Sequence, residues 1–162
     1  LVDNCSLCEL NKYTKKKFFS KGNLTSKVMI IGDFPSSDNY DPFAGQSGKM
    51  LVAMCQNVLK LDPNDVYYTT ILKCNVPLSQ AVHNDNINCC KDYFIKQIEI
   101  IKPLVIIVFD TQTYKHLNTL NIFDKQNIVI THSPSFLLRN PSSKKQALQD
   151  LEKVKSILDK GN

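Results

Sequence analysis

No apolar run in this 162-residue chain approaches the roughly 20 residues that a membrane-spanning helix needs, so no membrane span is expected. The N-terminal stretch LVDNCSLCELNKYTKKKFF lacks a basic segment followed by an apolar run and a small-residue cleavage site. That argues against secretion and for a reducing cytosol. Internal repeats, low-complexity tracts and linkers are also missing, so one domain over residues 1–162 is expected, long enough to bury a sizeable core. Arginine is nearly absent: of twenty Lys and Arg residues only Arg139 is arginine. It lies in ITHSPSFLLRNP (130–141) with His132, one of only three histidines. The prevalence of Lys over Arg, with many Asn and Ile, reads as the mark of an AT-rich genome. A net charge of +5 permits a polyanionic partner without requiring one.

What is present is an alternation of short apolar runs with helix-like segments. KVMII (27–31), VYYTT (66–70), LVIIVF (104–109) and NIVIT (127–131) are β-branched and almost continuously apolar, as strands covered on both faces are. Helices are predicted over about 47–60, 86–101 and 111–118, with a last one from Ser143, where Ser143 and Gln146 make a capping-box pattern. In that helix Ala147, Leu148, Leu151, Val154 and Leu158 recur at helical spacing as a core-facing stripe. The order predicts an open parallel sheet between two helical layers. Ligands of such sheets bind outside the carboxyl ends of the strands. Those ends carry GDFPSSDNYDPFAGQSG, TTILKCNVP, Asp110 and THSPSFLLR, residues that core packing alone does not call for.

The cysteines add a second constraint. Cys5 and Cys8 form a C-x2-C, and Cys74 and Cys90 form a widely spaced pair, with Cys55 and Cys89 left over. Four thiolates from two distant pairs can converge on a metal centre only if the fold brings the N-terminus beside 74–90. Spacing alone leaves open buried apolar cysteines, a zinc site or an iron-sulfur cluster, the wide second pair fitting a cluster better than a zinc ribbon.

Taken in order, C-x2-C, GDFPS, DPFAGQSGKML, VYYTTILKC, CKDYFIKQIEIIKPLVIIVF and THSPSFLLRNP resemble the iron-sulfur (family 4) uracil-DNA glycosylases of the uracil-DNA glycosylase superfamily, from Cys5 to about Leu151. The resemblance implies a three-layer α/β/α fold around a four-stranded parallel sheet. It implies a 4Fe-4S cluster on Cys5, Cys8, Cys74 and Cys90, and a DNA repair enzyme that flips uracil or a related deaminated base from single- or double-stranded DNA and hydrolyses its glycosidic bond. Carried over position by position, Gly32, Pro35, Phe43 and Thr70 would hold the base, with Phe43 stacking on it. Asp33, Asp38, His132 and Ser133 would carry the chemistry. Ser135 and Arg139 would touch DNA, with Phe136 and Leu137 as wedges and Lys15 to Lys17, Lys144 and Lys145 attracting phosphates. A cytoplasmic, nucleoid-associated monomer is expected.

Two positions depart from the family pattern. TTILKC replaces TNVVKC, setting Thr70 where an asparagine reads the base edge, and a hydroxyl cannot supply an amide's paired donor and acceptor. Ser133 stands where HPS has its histidine, with His132 one place earlier and, in an extended segment, on the opposite side. These departures leave room for slow catalysis, altered base preference, or a DNA-binding, damage-sensing protein with weak or lost activity. An iron-sulfur electron carrier would leave the strand-end motifs without a purpose.

Overall fold

A computed structural model of the protein describes residues 2–123 and 126–161. Five strands form one sheet: β1 (Lys21–Gly22), β2 (Val28–Gly32), β3 (Tyr67–Thr70), β4 (Val105–Phe109) and β5 (Asn127–Thr131), in the order β1-β3-β2-β4-β5. Strands β2 to β5 are parallel, and every residue of β2, β3 and β4 is buried, which is why their sequences are nearly unbroken apolar runs. The four expected strands are thus present. The sheet is nonetheless five-stranded, because Lys21 and Gly22 pair antiparallel with Tyr68 and Tyr67 at one edge. Two residues carry no hydrophobic period, so nothing in the sequence marks this strand.

The helices are α1 (Gly45–Ala53), α2 (Asn84–Ile101), α3 (Thr111–Asn118), α4 (Pro134–Arg139) and α5 (Lys144–Lys160); α1 continues through a wider π-type turn over Met54–Leu59. Leu51 of α1, Leu137 of α4 and Val154 of α5 pack on Ile30, Tyr68 and Ile107 of one sheet face. Phe94 and Ile98 of α2 and Leu117 of α3 pack on Met29, Ile31 and Val108 of the other. The result is a three-layer α/β/α arrangement. Among the described residues no helix is long and apolar enough to cross a membrane.

Two local expectations are corrected. In α5, Ala147, Leu151, Val154 and Leu158 are buried, but Leu148 is 45% exposed, since one step from Ala147 turns it off the core-facing stripe. The Ser143–Gln146 capping box does not form: Ser143 belongs to a preceding 3-10 turn and makes no cap bond, while Gln146 donates to Asp150 Oδ1 at 3.0 Å.

One buried polar network ties β3 to the layer beneath it. Lys73, just past β3, is 1% exposed, and its Nζ donates to Thr69 Oγ1, Thr70 O and Gln97 Oε1, each at 2.7 Å. Burial pushes this ammonium down to about 7, while three acceptors take its three protons. Gln97 of α2 in turn donates to Tyr67 Oη at 2.8 Å and Phe19 O at 3.0 Å. Substituting Lys73→Met keeps the stem but leaves buried acceptors unpaired, which predicts a loss of about 2 kcal/mol. Urea denaturation measures it, and a loss below about 0.5 kcal/mol would contradict the role given to the network.

Candidate functional site

The chain lays β3 beside one edge of β2 and then returns to lay β4 beside the other, so the strand order reverses between β2 and β4. At such a switch point the connections diverge and open a crevice at the carboxyl ends. Here the crevice encloses about 240 Å³. Gly32 and Asp33 come from the end of β2, Phe109 and Asp110 from the end of β4, Ser133 and Ser135 from the start of α4, and Tyr40 and Ser36 from the loop after β2.

Gly32 forms part of the wall because nothing larger fits. A Cβ built there would lie 2.5 Å from Tyr68 Oη. That hydroxyl is 3.0 Å from Tyr40 Oη, and Phe18 packs edge-on against Tyr40 with ring centroids 5.0 Å apart. Burial first, and neighbouring acidic groups after it, push both phenols up, so the pair stays protonated and keeps one O–H free to donate outward.

The same crevice holds two carboxylates. Asp33 accepts a hydrogen bond from Phe34 N at 2.7 Å, and Asp110 Oδ1 accepts one from Ser133 N at 2.9 Å. Asp33 is raised from the ordinary 3.8, chiefly by burial within the crevice, with the Asp110 charge adding to it against the Phe34 N–H. Asp110 also has φ 70° and ψ 140°, a backbone region that glycine favours and that strains other residues by about 1–3 kcal/mol. Its N–H donates to Thr131 O at 2.8 Å and its carbonyl accepts from Tyr114 N at 3.2 Å, so both neighbours fix the turn.

The sequence-predicted residues divide sharply. Gly32, Asp33, Ser133 and Ser135 line the crevice. Ser133 caps α4, its Oγ accepting from Phe136 N at 3.2 Å, so its O–H proton remains free for a ligand or for Ser135 Oγ at 3.3 Å. The others are elsewhere. Thr70 is fully buried, its hydroxyl donating to Leu72 O at 2.6 Å, so it presents nothing to the crevice. Asp38 accepts from Lys15 N and Asn75 Nδ2, both at 3.1 Å, and fastens the N-terminal segment instead. His132 turns away and stacks on Phe136, with centroids 4.4 Å apart and ring planes at 12°. Phe43 lies outside the lining, its ring 5.0 Å from Lys21 Nζ, and the aromatic side chains that line the crevice are Phe34, Tyr40, Tyr68 and Phe109. Pro35 is buried behind the lining. Leu137 is also buried, in the core, whereas Leu138 is 42% exposed on α4 beside the exposed Arg139. Lys17 is buried and donates to Asp3 O at 3.0 Å; Lys15, Lys16, Lys144 and Lys145 are exposed. Tyr40 and Tyr68 carry no motif signal, since they meet only through the fold. Asp110 was visible as a strand-end residue, though not its backbone conformation.

A second feature stands apart from the crevice. Cys5, Cys8, Cys74, Cys89 and Cys90 line one small cavity with Lys17, Lys73 and Tyr93, so the N-terminal C-x2-C does meet the 74–90 region. All of these cysteines are free. Burial raises the thiols of Cys74 and Cys90, the latter to about 11. Among the described residues no three His, Cys, Asp or Glu side chains form a group that could hold a metal ion.

The family described as the uracil DNA glycosylase superfamily matches residues 19–152. Three similar relatives are each named type-4 uracil-DNA glycosylase. That of Saccharolobus solfataricus is 31% identical over 97% of this chain and 83% of its own length. That of Sulfurisphaera tokodaii is 26% identical over 96% and 81%, and that of Pyrobaculum aerophilum 28% over 93% and 88%.

The raised Asp33 carboxyl makes a stability prediction. A carboxyl that holds its proton more tightly folded than unfolded loses stability as pH rises from about 3.8 through its folded value. Asp33→Asn, which removes the charge and keeps the acceptor for Phe34 N–H, should melt about one degree above the parent at pH 7, the gap closing in acid. A lower melting temperature at pH 7 would contradict this picture of the crevice.

Proposed function

The chain belongs to the uracil DNA glycosylase superfamily, and from that premise we propose that it is a DNA repair glycosylase that removes uracil, or a related deaminated base, from DNA. The observation that carries the reading is the convergence of Asp33 and Ser133 in one crevice at the strand-order reversal of a chain whose relatives act under that name. In this reading the nucleotide rotates out of the DNA and its base enters the crevice, where Phe34 and Tyr40 offer aromatic surface that offsets part of the lost stacking.

The glycosidic bond then breaks with its electron pair leaving on the base, and water adds to the sugar carbon. The negative charge of Asp33 stabilises the cation developing on the sugar, and the Ser133 and Tyr40 hydroxyls donate to the departing base. No imidazole or side-chain amide lines the crevice among the described residues, so its donors to the base are neutral hydroxyls. Exposed Arg139, Lys144 and Lys145 would hold backbone phosphates, and Leu138 would stand against the vacated stack. A cytoplasmic, nucleoid-associated, single-domain monomer is part of the same proposal.

The cysteine cavity fits a 4Fe-4S cluster on Cys5, Cys8, Cys74 and Cys90. The donors around it are all sulfur, the ligand type that iron-sulfur clusters take. The cation of Lys17 in the same wall suits an anionic cluster. Bound there, the cluster would cross-link the N-terminal segment to the end of β3 and to α2.

A second reading, a damage-sensing DNA-binding protein with weak chemistry, is favoured by the sealed Thr70 and the outward His132. Alkaline cleavage of oligonucleotides with a single uracil, hypoxanthine or xanthine separates the two. The glycosylase reading predicts strand scission with at least one of them. Asp33→Asn should slow it about 10² to 10³-fold, Ser133→Ala about 10²-fold, and His132→Ala less than about threefold. Retained DNA binding without scission, at enzyme excess and with all three bases, supports the sensing reading instead. For the cofactor, purified protein should carry iron and inorganic sulfide in equal amounts, and Cys74→Ser should lose both; colourless protein with one zinc would contradict the cluster.

A further inference from the structure

We propose that Asp110 is a second catalytic carboxylate, which accepts the proton of the attacking water; the inference rests on the glycosylase reading above. The backbone of Asp110 occupies a region that glycine adopts freely, so the side chain must serve some end. Part of that end is structural, since Oδ1 accepts from Ser133 N. Asparagine would accept the same bond and tolerates positive φ among the best of non-glycine residues, without setting a second negative charge opposite Asp33. The charge is what the structure leaves unexplained.

Location supplies the explanation. On the other face of the sheet a second cavity of about 350 Å³ is lined by Ile71, Leu72, Ile87, Gln112, Thr113 and His116. Among the described residues only Asp33, Phe34 and Asp110 belong to the walls of both cavities. A base seated in the crevice therefore has the two carboxylates between it and a separate, partly polar space. Hydrolysis needs that separation, because the water must reach the sugar carbon from the side the base does not occupy. Among the described residues each carboxylate accepts a backbone N–H on Oδ1, which leaves Asp110 Oδ2 for a water.

The step balances with water as sole co-reactant. The bond from sugar carbon to base nitrogen breaks with its electrons on the base; water oxygen bonds to the carbon; its proton passes to Asp110 and then, through solvent, to the base anion. The groups facing Asp110 are Asp33, Tyr40 and Tyr68 on the crevice side, and on the α3 side His116 with Gln112, whose Nε2 atoms are 3.2 Å apart. No Lys or Arg lines either cavity among the described residues, so no cation neutralises the pair.

The test compares wild type, Asp110→Gly and Asp110→Asn on the oligonucleotide base that the wild type excises, by single-turnover rate from pH 5 to 9, by DNA affinity and by melting temperature. Glycine relieves the backbone but releases the Ser133 N–H, so Asp110→Gly should melt within a few degrees of wild type while its rate falls about 10² to 10³-fold. Asp110→Asn should lose as much rate, keep DNA affinity within about threefold, and move the acidic limb of the pH profile slightly to lower pH, since burial still raises Asp33 but the smaller contribution of the Asp110 charge is gone. Wild-type rate in Asp110→Asn, with loss confined to Asp110→Gly, would reduce Asp110 to a holder of Ser133 and overturn the proposal. Full rate in both variants overturns it as well. A wild type that releases no base overturns the glycosylase reading, and this inference with it.

Discussion

The site exists because parallel hydrogen bonding continues past the ends of the strands. Ile71 N and Leu72 N donate to Gly32 O and Asp33 O, each at 3.0 Å, which carries the β2–β3 ladder two residues beyond the end of β3. On the other side Asp110 N donates to Thr131 O and Ser133 N returns a bond to the Asp110 carboxylate, fixing the end of β4 to that of β5. Residues that would otherwise belong to three independent loops are held at one level, with Asp33, Asp110 and Ser133 around a single opening. Such fixed dipoles and charges stabilise a changing charge without having to reorganise first.

The chemistry that this frame supports differs from what the motif pattern alone implies. The position of the base-reading amide is a threonine sealed under its own strand end, and the histidine beside the HPS position is stacked on Phe136. A pair of tyrosine hydroxyls, several serines and two carboxylates occupy the crevice in their place. Hydroxyls donate or accept as the ligand requires, so the pocket is less selective by hydrogen-bond pattern than an amide would make it.

Much of this was legible in the sequence, for reasons that particular residues make clear. VMIIG and VIIVF read as strands because burial on both faces leaves no polar period, and the order of strands and helices located the crevice before its contents were known. The alternation of an extended segment separated Ser133 from His132 correctly. What the sequence did not carry was the way each loop turns. DPFAG announced an aromatic near the site, but the Asp41 and Lys21 partnership holds Phe43 outside the lining while Tyr40, three residues earlier, points in. Asp38 had the right composition and the wrong neighbours, Lys15 and Asn75 having claimed it. Motif spacing names the loop; only packing decides which of its side chains faces the cavity.

The central claim is that the crevice between Gly32 and Ser133 receives the extruded base. A crystal structure with DNA carrying a non-hydrolysable 2′-fluoro deoxyuridine addresses it directly. The uracil ring should lie within hydrogen-bonding distance of the Ser133 and Tyr40 hydroxyls, with Asp33 and Asp110 flanking the sugar. A ring that remains stacked in the DNA, or that sits against Phe43 outside the crevice, would contradict the account.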